Sequence, residues 1–296
     1  MNIFQRNARK LVVIATMSGA SSAVFIRFIE ANQLTMGFYR LGFAMIFFTI
    51  PIITGGYKDF KGLVKKDYLY CVIAGFFLMT HFFFWFTAIM HTTIASASVL
   101  AALHPLMVMF ITVVFLKYKV SLKAVFGILT ALTGGAVIAG FDYGMAGNFS
   151  GNAAALLSAA CFAGYFIIGR IMRAKIPTIN YVFLVFGSCW LFFAIAMILT
   201  RTPFTGYRAE DYLWLLAMSL LCQVIAHTLY NWCVGYASSL YVSAWASVDS
   251  VFCIIYGAIV FRELPTAWQY IGGIMAISGL LYYTYHSQEK TKEEKT

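Results

Sequence analysis

A chain of 296 residues that is 61% hydrophobic and 11% charged, with a mean hydropathy of +0.81, falls far short of the roughly 25% charged residues of a soluble globular domain. The formal net charge of +10 invites a nucleic-acid partner, but the basic residues sit in short links between apolar runs, where anionic lipid accounts for them.

Taken in chain order, apolar runs of about 20 residues, each long enough to cross the hydrocarbon core, predict ten spanning helices. They fall at roughly 11–29, 36–54, 68–90, 94–116, 121–140, 151–170, 180–200, 211–234, 239–260 and 267–285. The basic start of the chain (Arg6, Arg9, Lys10) leads straight into the first of these, which reads as a helix and not as a cleaved signal. With the N-terminus placed in the cytoplasm, the cytoplasmic links collect 16 of the 21 Lys and Arg, among them Lys58, Lys61, Lys65, Lys66, Arg170, Arg173 and Lys175. The other side holds Arg201, Arg208 and Arg262, while Arg27 and Arg40 lie near the outer ends of the first two helices. This asymmetry follows the positive-inside rule and predicts that both termini are cytoplasmic. Six cysteines (Cys71, Cys161, Cys189, Cys222, Cys233, Cys253) are scattered without paired spacing and read as small buried hydrophobes. The stretch after residue 286 alternates Lys and Glu and is expected to be a frayed cytoplasmic tail.

The ten runs repeat as five plus five. Gly127, Ala131 and Gly134 recur as Gly272, Ala276 and Gly279, and 272 − 127, 276 − 131 and 279 − 134 all equal 145. At the same offset His104 falls on Asp249 and Ser121 on Thr266. Five spans per copy make the second copy enter the membrane from the opposite side, the pattern of secondary transporters whose site lies at the midplane between halves. The expected organisation is an all-α integral membrane protein with a first five-helix repeat over 1–145, an inverted second over 146–286 and a charged tail over 287–296. The small residues of the fifth and tenth helices have the spacing that lets backbones approach closely.

The stretch Phe261-Arg-Glu-Leu-Pro-Thr-Ala-Trp-Gln-Tyr-Ile-Gly-Gly, with Arg40 in Phe38-Tyr-Arg-Leu-Gly-Phe, resembles the EamA-type, ten-helix branch of the drug/metabolite transporter superfamily. The resemblance runs over residues 11 to 285 and implies transport, with Glu263, Thr266, Gln269 and Gly272 matching the family's motif. It also implies amino acids or related amphiphilic metabolites as substrates and export as the direction. The first copy departs from the motif at Tyr118 and Ala124. Ser250 stands opposite Pro105, so the kink that proline gives the fourth helix is expected to be missing from the ninth.

Ionisable and polar residues at membrane depth are expensive and are functional candidates by default. Tyr241, Trp245 and Asp249 are four apart on the ninth helix, which puts them on one face. His104 occupies the matching position on the fourth; His81 and Trp85 are four apart on the third; His227 and Asn231, with Tyr230 beside them, on the eighth; Tyr165 lies on the sixth. Together they predict a midplane cavity with an aromatic lining, in which Asp249 binds a substrate amine or carries a proton and His104 is its partner. Each has a plain alternative: interhelical hydrogen bonds for the histidines, packing for the tryptophans, hydroxyl contacts for Asp249. Arg40 is expected to hold helix ends or reach the surface, and Glu263 to pair with Arg262 or cap the tenth helix.

The functional expectation is a secondary transporter in the cell (inner) membrane, a monomer or homodimer, partnered by lipid, a small-molecule substrate and possible coupling protons, with no cofactor, resident metal or nucleic acid. An uptake carrier for another metabolite class, or a membrane enzyme with an intramembrane His/Asp metal site, is the alternative. No phosphate-cradling G-x-x-x-x-G-K-[ST] or paired H-E-x-x-H motif supports ATP-driven pumping or a metalloenzyme.

Overall fold

The computed structural model describes residues 3–116, 121–142, 148–237 and 239–293, and among them every regular element is helical. In chain order these are α1 (Ile3–Ala20), α2 (Ser22–Phe28), α3 (Gln33–Ile53), α4 (Lys65–His91), α5 (Ile94–Ala101), α6 (His104–Leu116), α7 (Leu122–Asp142) and α8 (Asn148–Arg173). There follow α9 (Thr178–Leu199), α10 (Ala209–Met218), a π-helix (Ser219–His227), α11 (Thr228–Tyr236), α12 (Ser239–Ser247), α13 (Asp249–Phe261) and α14 (Ala267–Glu293), and a 3-10 helix (Gly56–Gly62) lies between α3 and α4. Eight helical stretches among the described residues are long and apolar enough to cross a membrane, and Leu122–Ile138 is a shorter apolar one. The burial pattern is that of a lipid-facing bundle. Ile53, Leu199 and Ile259 project outward at 67%, 78% and 73% exposure while Arg40, Gln223 and Asn231 are buried. Such an apolar exterior suits hydrocarbon and not water.

The 145-residue offset reaches the element boundaries: α3, α9 start at 33, 178; α5, α12 at 94, 239; α6, α13 at 104, 249; α7, α14 at 122, 267. Corresponding helices also meet each other reciprocally. A Cβ at Gly127 would stand 2.7 Å from the Gly279 carbonyl oxygen, and one at Gly134 2.4 Å from that of Gly272. The two helices therefore run antiparallel, each glycine facing the counterpart of the other. Gly42 faces Trp190 and Gly187 faces Met45 in the same reciprocal way between α3 and α9. Reciprocity of this kind marks a local two-fold relation. Glycine is required in α7 and α14 because backbone, which cannot swing aside, occupies the space a side chain would need.

Both copies interrupt their fourth helix at the same place. α5 ends at Ala101 and α6 begins at His104; α12 ends at Ser247 and α13 begins at Asp249. The expectation that Ser250 would leave the second helix unkinked is corrected. The Ser250 hydroxyl donates to the Ser247 carbonyl at 2.8 Å, capturing an acceptor near the break and giving serine a local alternative to the straight ladder. The third helix of each copy differs instead: Lys65–His91 has 27 residues and Ala209–Tyr236 has 28, and the π-helix accommodates the extra one.

Two further expectations change. Glu263 neither pairs with Arg262 nor caps α14. Its carboxylate accepts from the Ile94 backbone N–H at 2.6 Å, capping α5, and lies 3.7 Å from Arg27, because the left-handed backbone of Arg262 turns the chain back toward α5. The α14 N-terminus is closed by its own Thr266 and Gln269, the capping-box arrangement. The charged stretch expected to fray is helical through Glu293, as its good helix formers allow. Tyr118 lies outside the described residues.

Gly134→Leu is expected to destabilise the protein by about 3 kcal/mol or more, beyond the usual cost of an overpacked core, whereas Gly140→Leu, with open space around its Cβ, melts as the wild type in detergent. Glu263→Ala is expected to cost about 1–2 kcal/mol through the lost helix cap, read as a lower melting temperature with unchanged secondary structure.

Candidate functional site

Three interrupted helices and the π-helix surround one cavity. Gly19 and Ser22 come from the break between α1 and α2, Ala101, Ala102 and His104 from the break between α5 and α6, and Ala246 and Asp249 from the break between α12 and α13. Arg40 of α3, His81, Phe82 and Trp85 of α4, Phe162 of α8, His227 at the end of the π-helix and Tyr230 of α11 complete the lining. Its volume is about 60 Å³, room for roughly four waters. The two breaks touch: Ser247 Oγ donates to the Ala102 carbonyl at 2.7 Å, and these residues are 145 apart, so each occupies the other's position in the repeat. The cavity therefore sits beside the axis relating the copies.

His104 and Asp249 are each the first residue of a half-helix, α6 and α13. His104 Nδ1 donates to the Ala101 carbonyl at 3.2 Å. His81 Nδ1 lies 2.8 Å from Ser158 Oγ and 3.1 Å from the Ser158 carbonyl. Trp85 Nε1 donates to Ser22 Oγ at 3.2 Å, bridging α4 to the α1/α2 break. The rings of His81 and His227 are 6.4 Å apart, and Phe162 stands among the three imidazoles at 4.6, 4.8 and 6.0 Å from His81, His104 and His227. His227 Nδ1 is buried without a hydrogen bond. Among the described residues no three of His, Cys, Asp and Glu are close enough to share a metal ion.

Six of the residues singled out from sequence line this cavity: His81, Trp85, His104, His227, Tyr230 and Asp249. Four do not. Asn231 donates to the Tyr165 hydroxyl and, at 2.7 Å, to the His227 carbonyl, which places both residues a layer behind His227. Tyr241 and Trp245 lie on α12, before the interruption at Val248, and neither lines the cavity.

Arg40 is the largest departure. It is 2% exposed, far from surface snorkelling, and its guanidinium carbon lies 4.1 Å from the centre of the Phe82 ring. Nε donates to Gln223 Oε1 at 3.0 Å. Neither Arg40 nor Asp249 belongs to an ion pair among the described residues. An arginine and a carboxyl side chain thus border one small cavity, each without an ion-pair partner among the described residues. The sequence signal that could have raised Arg40 is its position two turns inside an apolar helix.

Comparison with known proteins agrees with this architecture. The EamA-like transporter family matches the chain twice, over residues 9–140 and 149–285. An uncharacterized transporter of Archaeoglobus fulgidus is 22% identical over 285 residues, covering 93% of this chain and 96% of that protein. A crystal structure with 18% sequence identity superposes with a TM-score of 0.67 over 96% of this chain and 98% of its own, which speaks for the fold alone. With two copies of the family's domain across nearly its whole length, the chain belongs to the EamA-like transporter family, a multi-pass membrane protein of the drug/metabolite transporter superfamily.

Proposed function

We propose that this membrane transporter is a secondary carrier that exports small zwitterionic metabolites, amino acids and their close relatives, across the plasma (inner) membrane by alternating access. The observation that carries this reading is that a basic and an acidic side chain, Arg40 and Asp249, line one cavity with no ion-pair partner among the described residues. Arg40 matches a substrate carboxylate, Asp249 matches an amine, and an isolated charge of either sign is costly at this depth unless something pairs with it. An α-amino acid supplies both partners at once. The aromatic walls Phe82, Trp85 and Phe162 suit its apolar side chain.

Ten spans in two oppositely inserted five-helix repeats, with both termini in the cytoplasm, accommodate the observations. The antiparallel pairing of α7 with α14 and the shared element offset support opposite insertion of the halves. Helix breaks at the same position in both copies are the usual place for substrate contacts and hinge motion in such carriers. In this scheme the substrate neutralises Arg40 and Asp249 and allows the halves to rock around the axis through Ala102 and Ser247. When the carrier returns empty, a proton on Asp249 removes its charge, which couples transport to protons. His104, at the matching half-helix start, is the ionisable counterpart of Asp249 in the first copy.

Counterflow in proteoliposomes tests this directly. A pooled set of labelled amino acids is expected to exchange, with an amino-acid class depleted from the pool. Asp249→Asn is expected to cut the rate at least about tenfold, the loss of roughly 1.4 kcal/mol of interaction, and to abolish the response to a pH gradient without lowering the melting temperature. Normal flux with normal pH response in that variant would sink the role of Asp249. No exchange of any amino acid would sink the substrate class.

A further inference from the structure

We infer that the π-helix of the second repeat is a specificity device: Gln223 is a positioning residue that holds the Arg40 guanidinium for a carboxylate, so that the cavity selects acid-bearing substrates over amines that lack the acid group. This rests on the zwitterion reading above.

The repeat gives this arrangement in one half only. Arg40 corresponds to Val185 at the 145-residue offset, so α9 carries no second cation at the matching site. The fixtures of Arg40 come from the π-helix, which the third helix of the first copy lacks. Ser219 Oγ donates to the Arg40 carbonyl at 2.8 Å, Arg40 Nη2 reaches the Cys222 carbonyl at 3.4 Å, and Arg40 Nε donates to Gln223 Oε1 at 3.0 Å. All three partners, and His227 of the cavity wall, lie within Ser219–His227. A π-turn commonly accompanies a functional site because the extra residue re-aims the side chains around it.

Gln223 is fully buried, behind the cavity lining. Arginine can only donate, so the amide oxygen must face Arg40 Nε, and the amide nitrogen is left with no hydrogen-bond partner. A neutral amide at this position orients the guanidinium through one oxygen without neutralising it. A carboxylate there would have made a stronger, charge-assisted pair and cancelled the cation. The choice of glutamine keeps Arg40 both fixed and charged, which is what recognition of an anionic group needs.

The test uses Gln223→Glu and Gln223→Met in the full-length protein. Probes are the amino acids that exchange with the wild type and their α-decarboxylated amines, each assayed by half-saturating concentration in counterflow and by melting temperature. Glu at 223 completes a buried ion pair with Arg40, so the variant is expected to melt no lower than the wild type. Its affinity for amino acids is expected to fall at least about tenfold while that for the amines holds within about twofold, so the preference collapses. Met, of similar length and unable to accept from Nε, is expected to weaken amino-acid affinity by about three- to tenfold with the amines again unaffected. Unchanged preference in a stable Gln223→Glu, or equal losses for both probe series in both variants, would overturn the inference alone. Wild-type exchange of neither series would overturn the zwitterion reading and this inference with it.

Discussion

In hydrocarbon an unpaired backbone carbonyl or N–H has no water to turn to, so a helix can break only where protein covers the break. This chain meets that constraint by placing its two corresponding breaks against each other. The Ser247 hydroxyl donates to the Ala102 carbonyl, and the two residues are counterparts in the repeat. Each break is thereby sheltered beside the other on the axis of the fold. The cavity, the half-helix starts at His104 and Asp249 and the positive dipole ends aimed there all follow from that shelter. The close antiparallel contact of Gly127 and Gly134 with Gly279 and Gly272 closes the bundle at a distance from the cavity, joining the last helix of each copy.

Symmetry builds the frame, and departures from it supply the chemistry. At the half-helix starts one copy presents an imidazole and the other a carboxylate. On the second helix one copy presents Arg40 and the other Val185. In the third helix one copy is regular and the other carries a π-helix that grips Arg40. A fully symmetric cavity would present equal charges twice. The asymmetry instead provides one arginine and one carboxyl group, the combination on which the zwitterion proposal rests.

Much of this was written in the local sequence. The offset of 145 and the four-residue spacing of His81 and Trp85 depend only on periodicity, and they pointed to residues that line the cavity. Asp249 stands out as a carboxylate deep in an apolar run, and the offset of 145 adds His104 to it. Tyr241 and Trp245 share its four-residue spacing but do not line the cavity, because spacing alone does not say which side chains the packing turns inward. Whether Ser250 permits a straight helix depends on its hydroxyl finding the Ser247 carbonyl, which the residue type alone does not dictate. Tyr165 and Asn231 satisfy each other one layer out, and residue type does not separate a first layer from a second. Arg40 was hidden by ambiguity of depth: two turns from a helix end, a long side chain can reach the surface or turn inward, and Phe82 and Gln223 on other helices decide it. Gln223 itself depends on a π-turn, which no apolar period announces.

The measurement that bears most directly on the account is a structure of the protein determined with an exchanging amino acid bound. The account predicts density in the cavity beside the two helix breaks, with the substrate carboxylate within about 3.5 Å of the Arg40 guanidinium, the outer limit of a hydrogen bond, and its amine turned toward Asp249. Density for the substrate elsewhere in the bundle, with Arg40 and Asp249 both untouched, would contradict it.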